Sequence, residues 1–210
     1  MAIATPVPSA LCRRAVFGPP RAEESASCWQ NLDSHPLCLT ANGTRPQQAT
    51  RVRLGWDAAA LRVLFVAEDE HPWATLHERD APLYKEEVFE VFLDTEGDGL
   101  GYFELEVNPN NAVLDGAMRR VRSGYRKDFH WRCEGLETAV QVFPGGWAAE
   151  FCIPFESVTT STPVSGQRWR VNFTRIDRPP GAPRELSAWS PTGLAQFHVP
   201  ERFGVLEFFA

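Results

Sequence analysis

From Thr50 to the C-terminus, apolar and polar residues alternate in short runs separated by clusters of turn-forming residues. A period of two marks a strand with one buried face, and short strands punctuated by turn signals mark a sandwich or barrel. The pattern predicts strands at 50–56, 61–68, 88–94, 102–108, 137–143, 147–153, 169–176 and 205–209. Asp57-Ala58-Ala59-Ala60, Thr95-Glu96-Gly97-Asp98-Gly99 and Gly145-Gly146 supply the turns between consecutive runs. Helical periodicity is confined to one turn at 155–158, after Pro154. Residues 1–28 carry Pro and small residues without a period and are predicted to form an N-terminal arm. Residues 29–210 then form a single all-β domain, a two-sheet antiparallel β-sandwich with little helix. Residues 69–86 are rich in His, Pro and charge and read as a long loop, the kind that often carries binding function.

Side-chain parity divides each strand into two faces. In 102–108, Phe103, Leu105 and Val107 make a core face, which leaves Tyr102, Glu104, Glu106 and Asn108 opposite. In 88–94, Phe89, Val91 and Leu93 face the core and Val88, Glu90 and Phe92 oppose them. In 169–176, Val171 and Phe173 face one way, Asn172 and Thr174 the other. Glu90 is thereby expected to join Glu104 and Glu106 on one polar face. Such a face is either the solvated side of an antiparallel sheet or a saccharide site. Carboxylates and amides hydrogen-bond vicinal hydroxyls, and flat rings cover the apolar C–H face of a pyranose. Tyr84, Trp189, Phe197 and His198 supply rings in the neighbouring segments.

Composition narrows the function classes. At 210 residues the chain is long enough to bury a full core without disulfides or metal. A net charge of −6 argues against nucleic acid and anionic membranes as partners. No apolar run approaches the roughly 20 residues of a membrane span. The first residues lack a basic region followed by an apolar stretch, so no signal peptide is read. The five Cys form no CxxC pair and read as buried thiols, which favours a reducing, cytoplasmic setting for a soluble protein. Nothing in the pattern specifies an oligomeric state.

Four segments resemble carbohydrate-binding module family 9 and its DOMON-like relatives. They are Ala81-Pro82-Leu83-Tyr84-Lys85-Glu86-Glu87-Val88-Phe89-Glu90-Val91-Phe92-Leu93-Asp94, Tyr102-Phe103-Glu104-Leu105-Glu106-Val107-Asn108-Pro109, Trp169-Arg170-Val171-Asn172-Phe173-Thr174-Arg175-Ile176-Asp177, and Ala188-Trp189-Ser190-Pro191 with Phe197-His198-Val199-Pro200-Glu201-Arg202-Phe203-Gly204. Their order and their span, from about Trp29 to the C-terminus, carry the resemblance. It implies a β-sandwich that binds a sugar between two aromatic rings, with a small saccharide or glycan end as partner. The two rings would fall at Tyr84 and Phe197 and a sugar-binding carboxylate at Glu90. Glu106 stands where the family typically has Arg, a reversal of charge. Glu106, Asn108 and Asn172 are the remaining candidates for polar contacts, with Trp189 as a wall.

Other chemistry stays open. Asp94, Glu96 and Asp98 alternate in an acidic, Gly-containing turn, a spacing able to ligate calcium, which the resemblance also allows; no cofactor is required. Glu90 with Glu104 or Glu106 is a candidate acid/base pair for a glycan hydrolase. A structural or interaction sandwich without sugar binding is a further alternative. Arg175 shares the core parity of Val171 and Phe173 and is expected to pair with Asp177 or Glu150. Trp29, Trp56 and Trp147 read as core, and Trp131 as core or platform.

Overall fold

A computed structural model describes residues 6–210; residues 1–5 of the predicted arm lie outside them. The described chain holds strands β1 (Ser9–Arg14), β2 (Ser34–Pro36), β3 (Cys38–Leu39), β4 (Thr50–Trp56), β5 (Ala60–Glu68), β6 (Val88–Asp94), β7 (Gly101–Val107), β8 (Val113–Val121), β9 (Gly124–Asp128), β10 (Glu137–Phe143), β11 (Gly146–Pro154), β12 (Arg168–Asp177), β13 (Glu185–Ala188) and β14 (Gly204–Phe209). Short helical turns occupy Ser27–Gln30, Leu83–Lys85, Phe155–Val158 and Pro200–Arg202. The eight strands expected from alternation are present with ends shifted by no more than a residue. In the β4–β5 turn, Asp57 Oδ1 accepts the amides of Ala59 and Ala60, an Asx arrangement that closes the hairpin.

Pairing runs β10-β11-β5-β4-β1-β14-β12-β6-β7-β8-β9 as one hydrogen-bonded path. That path curls into an all-β sandwich, so its halves face each other across the core. Phe89 of β6 stacks on Phe65 of β5 at 4.7 Å and on Trp147 of β11 at 3.7 Å. Phe173 of β12 meets Phe65 edge-on at 6.2 Å. Phe89, Val91, Leu105, Val107, Val171 and Phe173 are all fully buried in this core, as parity requires. Trp56 and Trp147 belong to it, while Trp29 is buried in a smaller cluster with Phe17 and Leu64.

Two features differ from the expected pair of antiparallel sheets. The layers are joined rather than separate, and the joint is β1, which lies within the stretch read as an arm. It runs parallel to both neighbours, β14 (Ser9↔Val205) and β4 (Arg13↔Gly55). Only Ala10 and Cys12 of this strand are buried, too little apolar signal to betray a strand from sequence. Further along the arm, Phe17 and Ala22 pack as well. Phe17 lies so near Gly55 that a Cβ there would sit 2.5 Å from its ring, so β4 needs glycine at this point.

The second departure concerns the polar face of β6, β7 and β12. It is roofed, not solvated. The segments on either side of the sheet fold over it and form a second core from Leu83, Val88, Phe92, Tyr102, Ile176, Phe197 and Phe203. Full burial of Leu83 and of Phe203 contributes roughly 1.5–3 kcal/mol each, which holds both covering segments down. Behind one end of this face, Arg175 is 1% exposed and reaches Asp69 at 2.6 Å, Asp177 at 3.4 Å and the Glu68 carbonyl at 3.0 Å. Asp177 was an expected partner; Glu150 instead pairs with Arg62 at 2.5 Å.

Candidate functional site

Register brings the carboxylates together. Glu90 of β6 lies opposite both Glu106 of β7 and Thr174 of β12, and Phe92 in the adjacent row lies opposite Glu104 and Asn172. Oxygens of Glu90, Glu104 and Glu106 fall within 4.8 Å of one another, all buried. Thr174 Oγ1 donates to Glu90 Oε2 at 2.5 Å. Glu104 Oε2 and Glu106 Oε2 have no hydrogen-bond partner.

Desolvation is the main cause that raises all three carboxyls. Glu104 is pushed up to about 7 and Glu90 to about 8, the latter also by the Glu104 charge. Glu106 is held well above the usual carboxylate range by burial and by both neighbours. Lys127 of β9 opposes the effect, with Nζ 3.9 Å from Glu104 Oε2. Lys127 also donates to His198 Nε2 at 2.9 Å, and His198 Nδ1 meets the Tyr102 hydroxyl at 2.9 Å. Burial, then the Lys127 charge, lowers His198 to about 4, so its imidazole is neutral at ordinary pH.

Beside these groups lies a groove of about 180 Å³ lined by Tyr84, Glu90, Glu104, Lys127, Phe197 and His198, together with Ile176, Arg184 and Leu186. Drug-sized pockets run to about 300–1,000 Å³, so this groove suits one small unit. Tyr84 is 41% exposed on the Leu83–Lys85 turn, anchored by buried Leu83. Phe197 is 6% exposed and packs its ring against Phe92 at 6.3 Å. Tyr84 and Phe197, far apart in sequence, thus stand at one groove beside Glu90.

Other sequence candidates have different work. Asn172 is wholly buried; it donates to the Ser190 carbonyl and accepts the Ser190 and Phe173 amides. Asn108 accepts the amides of Asn110 and Ala112 and donates to the Leu76 carbonyl. Both amides are therefore engaged by backbone, one tethering the segment that leads to Phe197 and the other the segment that leads to Tyr84. Trp189 points into the main core against Phe173 at 5.6 Å, and a Cβ on Gly204 would sit 2.2 Å from its ring. It is a packing residue, not a groove wall. Glu106 lies behind the groove lining, in contact with the other two carboxyls.

Asp94, Glu96 and Asp98 do not converge either. Asp94 accepts the Gly97 and Gly99 amides and Asp98 accepts that of Leu100, so two of the three close the turn. The acidic groups that do gather among the described residues are Glu90–Glu104–Glu106 and Asp69–Glu87–Asp177. A larger groove of about 630 Å³ runs past Leu100, Trp131 and Thr159. Trp131 stacks on Phe103 at 4.5 Å there, but Glu104, with its buried and unpartnered oxygen, lines the smaller groove. Lys127 and Arg184 escaped sequence reasoning. The Ser123-Gly124 turn signal would have exposed the β8–β9 hairpin that carries Lys127.

An all-β sandwich with a ring-flanked, carboxylate-floored groove on one sheet face defines the class of this domain. The model of the "Carbohydrate family 9 binding domain-like" family matches residues 23–209, and the chain belongs to that family. Among solved structures it is similar to a carbohydrate binding module family 9 from Caldicellulosiruptor kristjanssonii in complex with cellotriose, with 18% identity, a TM-score of 0.73, and coverage of 96% of this chain and 94% of that one. A module of the same family and organism in complex with glucose matches with 18% identity, a TM-score of 0.68, and coverage of 94% and 95%. A search of curated proteins returns no match.

Proposed function

We propose that this domain binds a single saccharide unit, free or at a glycan end, in the groove between Tyr84 and Phe197, without chemical turnover. The observation that carries this is the meeting of an exposed ring, a second ring and two buried carboxyls at one small groove. Family membership and the sugars held in the two Caldicellulosiruptor complexes agree with it. Tyr84 serves as the platform for the C–H face of a ring. With values of about 8 and 7, Glu90 and Glu104 carry protons for much of the time at neutral pH. A carboxyl that alternates between donor and acceptor suits a hydroxyl, which is both.

Glycoside hydrolysis needs one carboxyl protonated and another ionised on either side of the bond. Here desolvation pushes all three upwards and nothing holds one low, so binding is the better use of this cluster. Titration calorimetry against a panel of mono- and oligosaccharides tests the proposal. A hexose should bind, and Tyr84→Ala should weaken it by about 1–3 kcal/mol. The same substitution should leave stability within about 0.5 kcal/mol, since the side chain is largely exposed. Silence across the panel, or affinity indifferent to Tyr84, would refute it; oligosaccharide cleavage lost in Glu90→Gln would replace it with hydrolysis.

A further inference from the structure

Taking the groove to be a saccharide site, we infer that its preferred ligand is a cationic one, an amino sugar whose ammonium group enters the Glu90–Glu104–Glu106 cluster. Three carboxyls with oxygens within 4.8 Å of one another form a floor built for positive charge. Glu104 lines the groove while only 3% exposed, and its Oε2 has no hydrogen-bond partner. A buried acceptor left in that state costs about 1–3 kcal/mol, and it belongs to a residue that lines the groove. Glu106 Oε2 is a second such acceptor immediately behind. An ammonium presents three donors and a full charge in the volume of a hydroxyl, so it answers both deficits at once.

The protein's own cations leave room for it. Lys127 is 43% exposed, stands 3.9 Å from Glu104 and is engaged with His198. Arg184, also in the groove lining, is exposed to solvent. Around the cluster, Thr174 donates to Glu90, His198 sits 3.6 Å from Glu104, and Tyr102 is bonded to His198; neutral groups cancel no carboxylate charge. In the empty groove, protons on the carboxyls quiet their repulsion. The arriving ammonium replaces a bound proton, which leaves to solvent, so binding and proton release are one event.

The experiment compares glucose with its 2-amino-2-deoxy and 6-amino-6-deoxy derivatives and with glucuronate, by calorimetry at pH 7 in buffers of different ionisation enthalpy. At least one amino sugar should bind about tenfold or more tighter than glucose, glucuronate more weakly, and only the amino sugar should release a proton. Glu104→Gln should collapse the amino-sugar preference, and Lys127→Ala, a change at an exposed side chain, should enlarge it. Glucose binding as tightly as both amino sugars, or a preference untouched by both variants, overturns this inference and leaves the saccharide site standing. No binding by any of the four sugars removes both. Stabilisation by calcium chloride alone, lost in Glu104→Gln and without sugar preference, would make the cluster a metal site instead.

Discussion

Glu90 and Glu106 face each other across a β6–β7 pair, with carboxylate oxygens within 4.8 Å of each other. Directly opposed like charges weaken a sheet, and burial makes the repulsion dearer than it would be in water. The cluster is thus a place where the fold gives up stability, the usual mark of a working site. Glu106→Gln keeps the shape and removes the need to take up a proton on folding, because burial and both neighbours hold Glu106 well above the usual carboxylate range. It should therefore stabilise the protein at pH 8 by about 1–3 kcal/mol, read from urea denaturation, whereas a loss of stability would show that Glu106 is a net asset to the fold. Parity exposed these residues in the sequence because alternation is strict. It could not tell Asn108 and Asn172 from ligand contacts: an amide on a polar face reads the same whether it bonds a sugar or a tethered backbone.

At the scale of elements, the groove depends on two loop segments held against one sheet face. Leu83 and Phe203 pin them through burial, and Asn108 and Asn172 through hydrogen bonds. The sheet beneath is anchored by Arg175, which ties β12 to the end of β5 through Asp69 and the Glu68 carbonyl, and to the start of β4 through Thr50. Arg175→Ala would leave Asp69 and Asp177 buried and unpaired beside Glu87. A loss of about 3–5 kcal/mol is expected, measured by denaturant unfolding; a loss below about 1 kcal/mol would mean that water reaches the cluster. Two of the strands missed from sequence, β1 and β9, share a cause. β9 (Gly124–Asp128) is polar and mostly exposed, and β1 buries two small side chains. Both are strands because a neighbour's edge pairs with them, not because of their own pattern.

For the whole molecule, buried carboxyls set the response to pH. Glu87, Glu90 and Glu104 are raised to about 9, 8 and 7 in the folded state, all mainly by desolvation. The folded protein therefore holds protons that the unfolded chain has released. Stability contributed by these groups is complete at pH values below the ordinary carboxylate range and declines as pH rises through 7 to 9. His198, depressed to about 4, works in the opposite direction, but only between there and its ordinary value of 6.5. The melting temperature should consequently fall from about pH 6.5 to 9, and less steeply in Glu104→Gln. A flat or rising profile in scanning calorimetry would show that the carboxyls stay ionised in the native state. Period-two alternation and turn residues determined the all-β class, the register-bearing strands and the row of glutamates, since those follow from local geometry along the chain. Closure through the parallel β1, the roof over the polar face, and the meeting of Tyr84, Phe197 and Lys127 at one groove were decided only by tertiary structure. Each arises from contacts between segments far apart in sequence, where no local period carries a signal.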